Sequence, residues 1–191
     1  PKSVYSYSNV GGFGIDGVIS SCVGASIANP DKLFFCVVGD LATFYDMNVI
    51  GNRHIGNNLR IIVSNNGTGY EMHCPGSIGE EFGKESDLYF AAGGHYGNKS
   101  RELLKNFSEN LGFEYICADS KEEYLSHLDY FVSAKSHSKP IIFEVFITEE
   151  NDDIAYKLTR EIRQDVSLKA KKFIRNIIGD NGMQKIKKVL K

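Results

Sequence analysis

Short apolar runs alternate with helix-compatible segments along most of this chain. The apolar runs have the length of strands and are predicted to be buried strands: 33–38, 59–63, 113–118 and 140–147. The segments between them are predicted to be helices: 18–28, the residues after Asp40, 101–112 and 120–135. Repeated alternation of strand and helix predicts an α/β fold, a three-layer sandwich with a mostly parallel sheet and helices on both faces.

Capping and turn residues refine these boundaries. Ser120 is predicted to cap its helix, with Glu123 closing a capping box, and Gly112 is predicted to end the preceding helix. Residues 51–58 are predicted to end the helix after Asp40 and to turn into the next strand. Weak alternation over residues 4–8 indicates a candidate first strand.

A long segment, residues 71–100, is rich in glycine and shows little periodicity, which is typical of a lid or a substrate-facing loop. His73 and His95 are its weak candidates for a catalytic proton donor to a carbonyl intermediate. The competing interpretation is that both are ordinary exposed or hydrogen-bonded loop histidines.

The C-terminal residues 151–191 are predicted to form a helical, basic extension after a domain that covers 1–150. One face is apolar, with these residues recurring every four positions: Ile154, Leu158, Ile162 and Val166. From Lys157 onward there are 11 basic and three acidic residues, although the whole chain carries a net charge of −2. The charge indicates either a solvated face opposite a docked apolar stripe, or a patch for anionic lipid or nucleic acid. No aromatic residues interleave the last lysines, which favours the first; neither a nucleic acid nor a membrane is expected as a partner.

Composition is that of a soluble globular protein, with 42% hydrophobic and 24% charged residues. No apolar run reaches the ~20 residues of a membrane span, and no signal peptide precedes the first predicted element. The start at Pro1, close to a strand-like segment, indicates a fragment of a longer protein, although processing would explain it too. The four cysteines are scattered without a C-x-x-C pair, and three of them lie in apolar surroundings, which favours buried thiols in a reducing cytoplasm over a zinc site.

Polar residues follow two of the predicted strands, and these are the chain's strongest chemical signal. Gly39-Asp40 ends the first strand and Asn65-Asn66 ends the second. Neighbouring parallel strands end at the same sheet edge, so Asp40 and Asn66 are expected to meet there. Carboxylate and amide oxygens suit Mg²⁺, and a glycine before a helix start suits a phosphate, so the pair predicts a metal–diphosphate site. The competing interpretation is that both pairs are ordinary turn sequences.

The same residues resemble the signature of thiamine diphosphate-dependent enzymes, GD followed by NN at this spacing. The resemblance implies that Asp40, Asn66 and the carbonyl of Thr68 bind Mg²⁺. The loop residues around these ligands would contact the diphosphate: Gly39, Leu41, Ala42 and Gly69.

An upstream glycine-rich loop strengthens this resemblance. GGFGIDG, residues 11–17, is similar to the loop of acetolactate synthases that holds the aminopyrimidine ring. The resemblance implies that the carbonyl of Gly14 and the N–H of Asp16 bind the ring. Ile15 is the available apolar prop for the bent cofactor, although the family's usual position for it falls on Asp16.

The loop and the stretch from Gly39 to Asn48 are also similar to the menaquinone-pathway carboxylate synthases. Two residues depart from that pattern: Val10 stands where those synthases have arginine, and Phe13 where they have serine. An arginine expected after the loop helix is also missing from the stretch ASIANP. In that family the arginines bind substrate carboxylates, so the resemblance carries over cofactor binding but not acceptor identity.

The resemblance implies the C-terminal, diphosphate-binding domain of a carboligase or decarboxylase that acts on a small 2-oxo acid. Ylide formation in the family needs a glutamate from a pyrimidine-binding domain or subunit, so that partner is expected, within a homo-oligomer such as a dimer. The alternative is a non-catalytic homologue that serves as a docking subunit. The last strand resembles the family pattern P-x-x-x-E-V, in which Glu144 is interpreted as a structural anchor.

Overall fold

The computed structural model describes residues 4–10, 14–72, 74–85, 100–135 and 137–162. Four strands form one sheet: β1, Phe34–Gly39; β2, Leu59–Asn65; β3, Glu114–Ala118; and β4, Ile141–Phe146. Five helices accompany them: α1, Val18–Ala28; α2, Asp40–Tyr45; α3, Leu103–Asn110; α4, Lys121–Val132; and α5, Glu149–Ile162. Short 3-10 helices cover Met47–Gly51, Tyr70–Met72 and Ile78–Glu85.

All pairings in this sheet are parallel, in the order β1-β2-β4-β3. Alternation along β2 separates the two faces: Leu59, Ile61 and Val63 are at most 1% exposed and belong to the larger core cluster. That cluster includes Ile19 and Val23 of α1, whereas on the other face Phe131 of α4 packs with residues of β4. Helices therefore cover both faces, which confirms the predicted three-layer α/β sandwich.

The helix limits agree with the local signals. α1 spans the predicted segment 18–28, and Gly112 adopts a φ of 88° after α3. The Ser120 hydroxyl accepts a hydrogen bond from the Glu123 N–H at 3.2 Å, which confirms the N-cap. The Glu123 carboxylate accepts from the N–H of Asp119 at 2.8 Å, one residue before the position that a standard capping box uses.

Two expectations are wrong. Residues 4–10 form no regular secondary structure, since a strand needs a hydrogen-bonded neighbour and weak alternation does not supply one; Tyr7 is 96% exposed. The expectation of three buried thiols is also wrong: Cys36 is buried, Cys22 and Cys74 are intermediate, and Cys117 is exposed. An apolar sequence neighbourhood did not reveal on which face of an element each thiol lies.

Residues 150–191 form a second compact unit, of which the structure describes only the part of α5 up to residue 162. Val166 and most of the basic residues of the predicted extension lie outside the described residues. The limits 1–150 and 151–191 for domain and extension stay a prediction. Within the described part of the chain, no helix has both the length and the apolar character to cross a membrane.

Candidate functional site

The carboxyl ends of β1 and β2 converge as the sequence predicts. Gly39 pairs with Ser64 in the parallel register, so Asp40 and Asn65 are the next residues at one sheet edge. The N–H of Gly67 donates to Oδ2 of Asp40 at 2.9 Å, and Asp40 is only 3% exposed. The carboxylate of the first strand end therefore contacts the loop that carries Asn66.

Two asparagine side chains shape that loop. Oδ1 of Asn65 accepts from the N–H of Gly67 at 3.0 Å, and Oδ1 of Asn66 accepts from the N–H of Thr68 at 2.9 Å. These successive side-chain turns bend the backbone sharply, and Gly67 takes a φ of 75°, a conformation that glycine adopts without strain. The turn brings the Asn66 amide, the Thr68 backbone and the Asp40 carboxylate into one neighbourhood.

Two features fit the residues to a bound metal–diphosphate group. The Thr68 hydroxyl is buried and has no hydrogen-bond partner among the described residues, which is costly unless a ligand or water supplies one. Apart from its chain neighbours, no described residue has an atom within 4 Å of a Cβ added to Gly39, so open space adjoins the backbone within the described structure. Asp40 also begins α2, whose N-terminus carries no side-chain cap.

Leu41, Ala42 and Gly69 are buried beside this edge. Ala42 belongs to the main core cluster, so its side chain stabilises the fold and only its backbone is available to a ligand. Gly69 accepts from the N–H of Met72 at 2.9 Å and starts the 3-10 turn Tyr70–Met72. His73 and His95 lie outside the described residues, so their assignment stays a prediction.

A buried carboxylate, that of Glu144, accepts a hydrogen bond from the first asparagine of the loop that contains Asn65 and Asn66. Oε1 of Glu144, which is 1% exposed, accepts from Nδ2 of Asn65 at 2.6 Å, and Oε2 accepts from the Tyr115 hydroxyl at 2.7 Å. Burial raises the pKa of Glu144, the nearby charge of Asp40 adds to the rise, and the two hydrogen bonds oppose it. Burial and the hydrogen bond to Glu144 likewise raise the pKa of Tyr115. These contacts agree with Glu144 as a structural anchor, and no sequence pattern pointed to Tyr115 as its partner.

The described part of the glycine loop before α1, residues 14–17, is held by close backbone contacts. Gly14 has a φ of 75°, and a Cβ there would lie 2.7 Å from the backbone oxygen of Asn9, so any side chain would clash. The Asn9 side chain donates to the carbonyl of Asp16. Ile15 is half-buried and packs against the main core cluster. The structure thus orders Gly14 and Asp16, whose ring-binding role stays a prediction.

Asp46 connects this loop region to the sheet edge that carries Asp40 and Asn66, which is called the metal edge because a metal is predicted there. No sequence pattern predicted a role for Asp46. Its Oδ2 accepts from the N–H of Ser20 at 2.6 Å, and its Oδ1 accepts from the Ser20 hydroxyl. The residues lie 26 positions apart, so no local pattern announces the contact.

The metal donors predicted at the sheet edge of Asp40 and Asn66 are one carboxylate, one amide and one backbone carbonyl. Among the described residues, no group of three or more His, Cys, Asp or Glu side chains has the arrangement of a metal site. That result bears on sites rich in ionisable ligands, whereas Mg²⁺ in phosphate complexes uses one or two carboxylates and takes other oxygens from water and substrate.

Comparison with known proteins gives a consistent set of relatives. The chain is 33% identical over 153 residues to a 2-succinyl-5-enolpyruvyl-6-hydroxy-3-cyclohexene-1-carboxylate synthase of Phocaeicola vulgatus, covering 80% of this chain and 26% of that protein. The synthase of Bacteroides thetaiotaomicron is likewise 33% identical, with the same coverages of 80% and 26%. The synthase of Desulfotalea psychrophila is 47% identical over 60 residues, which cover 31% of this chain and 11% of that protein.

The chain therefore spans about a quarter, 26%, of the length of the first two relatives. No family model matches it. Among solved structures, a thiamine diphosphate-dependent 4-hydroxybenzoylformate decarboxylase of Rhodococcus jostii RHA1 is similar, with a TM-score of 0.45 and 19% identity. That match covers 69% of this chain and 23% of the decarboxylase chain.

Proposed function

The chain belongs to the family of 2-succinyl-5-enolpyruvyl-6-hydroxy-3-cyclohexene-1-carboxylate synthases, and we propose that it binds the diphosphate half of thiamine diphosphate. The observation that carries the proposal is the hydrogen bond from the Gly67 N–H to the buried Asp40 carboxylate. It brings the acid of one strand end against the loop of the next, which a shared metal ligand set requires.

The proposed ligands at this sheet edge form two groups, one that binds Mg²⁺ and one that surrounds the phosphates. Asp40, the Asn66 amide and the Thr68 carbonyl bind Mg²⁺, and the Mg²⁺ ion in turn holds the diphosphate. The backbone of Gly39, Leu41, Ala42 and Gly69 surrounds the phosphates. When bound, thiamine diphosphate supplies the nucleophilic carbon that attacks a 2-oxo acid and stores electrons after carbon dioxide leaves.

The ring half of the cofactor is assigned to the loop before α1. The Gly14 carbonyl accepts from the ring amino group, and the Asp16 N–H donates to a ring nitrogen. Ile15 is the proposed apolar prop. In the thiamine diphosphate-dependent family, the glutamate that activates the ring comes from a pyrimidine-binding domain or subunit. The same arrangement is proposed here, within a homo-oligomer.

The reaction proposed is decarboxylation of a small 2-oxo acid, with carboligation to an acceptor as the acetolactate synthase-like outcome. The departures at Val10 and Phe13 concern arginine and serine positions of the carboxylate synthases. Val10 is 84% exposed and carries no charge for an anionic substrate. We therefore propose an acceptor different from that of the synthases.

Calorimetric titration of thiamine diphosphate with Mg²⁺ into the full-length protein in its native assembly tests the cofactor proposal. Saturable binding is expected for the wild type and is expected to be lost in Asp40→Ala and on removal of Mg²⁺ with a chelator. Asp31→Ala, the same change at an exposed aspartate before β1, serves as the matched control and is expected to bind normally.

Two results would overturn the proposal: no binding by the wild-type assembly, or equal binding by wild type and Asp40→Ala. The first would favour the alternative, a non-catalytic homologue that acts as a docking subunit.

A further inference from the structure

The N-terminus of α1 has no capping group of its own. Gly17 occupies the N-cap position and offers no side-chain oxygen, and the first turn contains no acidic residue. The first N–H groups of a helix have no partner within the helix, and the positive end of the helix dipole lies there. Water, a ligand or a side chain from elsewhere in the chain can satisfy these N–H groups.

Asp46 supplies this cap from the far end of α2. Its carboxylate accepts from the backbone N–H of Ser20, the third residue of α1, at 2.6 Å and also from the Ser20 hydroxyl. Hydrogen bonds to an ionised acceptor are stronger than those between neutral groups, and an anion at a helix N-terminus adds a favourable dipole interaction. One half-buried side chain thus fixes where α1 begins.

The location of Asp46 links the two halves of the proposed cofactor site. α2 begins at Asp40 and ends at Tyr45, and the N–H of Asp46 donates to the Ala42 carbonyl at 3.2 Å, which closes the helix end. α1 begins directly after the loop that contains Gly14 and Asp16. A metal ligand therefore stands at one end of α2, and the residue that secures the loop helix follows the other end.

We propose that Asp46 is a positioning residue for the ring-binding loop, holding Gly14 and Asp16 in fixed register with the metal edge at Asp40. The inference rests on the proposed function, because it assigns the loop and the metal edge to two halves of one ligand. Asp46 itself is not among the proposed ligands of either half. Removal of the Asp46 carboxylate leaves the diphosphate ligands in place but lets the loop shift. The cofactor must then order the loop when it binds, which lowers its affinity.

A ligand pair separates this role from simple helix stabilisation. Thiamine diphosphate needs both halves of the site, whereas inorganic pyrophosphate with Mg²⁺ needs only the diphosphate half. In Asp46→Ala of the full-length protein, the affinity for thiamine diphosphate is expected to fall about tenfold, the size of a lost helix cap. The affinity for pyrophosphate is expected to stay within about twofold of the wild-type affinity, because the proposed diphosphate-binding groups are unchanged in this variant.

Two further variants keep the test informative if Asp46→Ala folds poorly. Asp46→Asn keeps an oxygen that accepts from the Ser20 N–H, so its loss of thiamine diphosphate affinity is expected to be smaller. Ser20→Ala removes only the hydroxyl donor and is expected to give a similarly partial loss. Asp31→Ala is the matched control, and calorimetry of both ligands is accompanied by thermal unfolding of each variant.

The outcomes are distinct. Selective loss of thiamine diphosphate affinity across the graded series supports the positioning role. Equal weakening of both ligands, or unchanged affinity for both in variants that unfold at lower temperature, overturns it and leaves Asp46 as a structural cap. Failure of the wild-type protein to bind either ligand instead overturns the proposed function.

Discussion

At the scale of single residues, two glycines of the site are needed for different reasons. Gly14 is dictated by the protein itself, because its φ of 75° and the 2.7 Å approach to the Asn9 oxygen exclude a side chain. Gly39 has a φ of −79°, which any residue adopts, and among the described residues only its chain neighbours have atoms within 4 Å of an added Cβ. The protein alone would accept alanine at position 39, so a requirement for glycine there would point to a ligand.

Gly39→Ala is therefore expected to leave the free energy of unfolding within about 0.5 kcal/mol of wild type and to weaken binding of pyrophosphate with Mg²⁺. Urea unfolding and calorimetry measure the two effects separately. Gly24→Ala, an exposed helical glycine with the same open surroundings, is the control and is expected to change only stability. Retention of full pyrophosphate affinity in Gly39→Ala would contradict the close approach of phosphate at this residue.

Glu144 gives a pH-dependent prediction. Its folded pKa is raised, mainly by burial, so its favourable contribution is fully present below the unfolded glutamate pKa of about 4.3 and is lost as pH rises through the folded value. Glu144→Gln does not ionise. The free energy of unfolding of wild type is thus expected to decline relative to Glu144→Gln as pH rises through that window.

Urea unfolding at a series of pH values measures this difference. Glu81→Gln, a change at an exposed glutamate, is the control and is expected to give a difference from wild type that varies little with pH. A gap between wild type and Glu144→Gln that is constant with pH would show that the raised pKa of Glu144 is wrong.

At the scale of elements, the end of α4 depends on a buried arginine. Arg60 in β2 is fully buried, and its guanidinium donates to the carbonyls of Phe131, Ser133 and Lys135, the last at 2.9 Å. Carbonyls at a helix C-terminus lack partners within the helix and carry the negative end of its dipole, which a cation complements. Arg60 therefore joins the middle of the sheet to the end of the helix that covers it.

Arg60→Met keeps the apolar stem but removes these donors, and it is expected to lower the free energy of unfolding by about 3 kcal/mol. Urea unfolding measures the loss. The control is Arg53→Met, at an exposed arginine whose Nε contacts its neighbour His54, expected within about 0.5 kcal/mol of wild type. Comparable effects of the two variants would show that α4 ends without help from Arg60.

At the scale of the whole molecule, the proposed function makes this site one part of a larger catalytic assembly. The chain covers 26% of the first relatives' length, and the activating glutamate is assigned to a different domain. The 191-residue chain alone, supplied with thiamine diphosphate and Mg²⁺, is expected to release no carbon dioxide from pyruvate. A carbon dioxide release assay checks this, with circular dichroism to establish that the chain is folded. Turnover above the level of Asp40→Ala would contradict the assigned division of labour.

Local sequence patterns were sufficient to predict the strands, most of the helices and the polar residues at the shared sheet edge. Apolar runs and helical spacing identified β1 to β4 and α1 to α4, because burial imposes those periods locally. The convergence of Asp40 with the Asn66 loop was also predictable, because neighbouring parallel strands end at one edge. The failed strand at residues 4–8 marks the limit of this reasoning, since pairing depends on a neighbour and not on the segment alone.

The groups that support that edge became evident from the packing of the elements against one another. Asp46 reaches Ser20 across 26 positions, Asn65 reaches Glu144 across 79, and Arg60 reaches Phe131 across 71. None of these pairs shares a period or a motif, because each contact arises where separately formed elements pack together. Local sequence encodes a strand or a helix through the burial of its own residues, whereas a contact between distant residues exists only once the whole layer arrangement sets their distance.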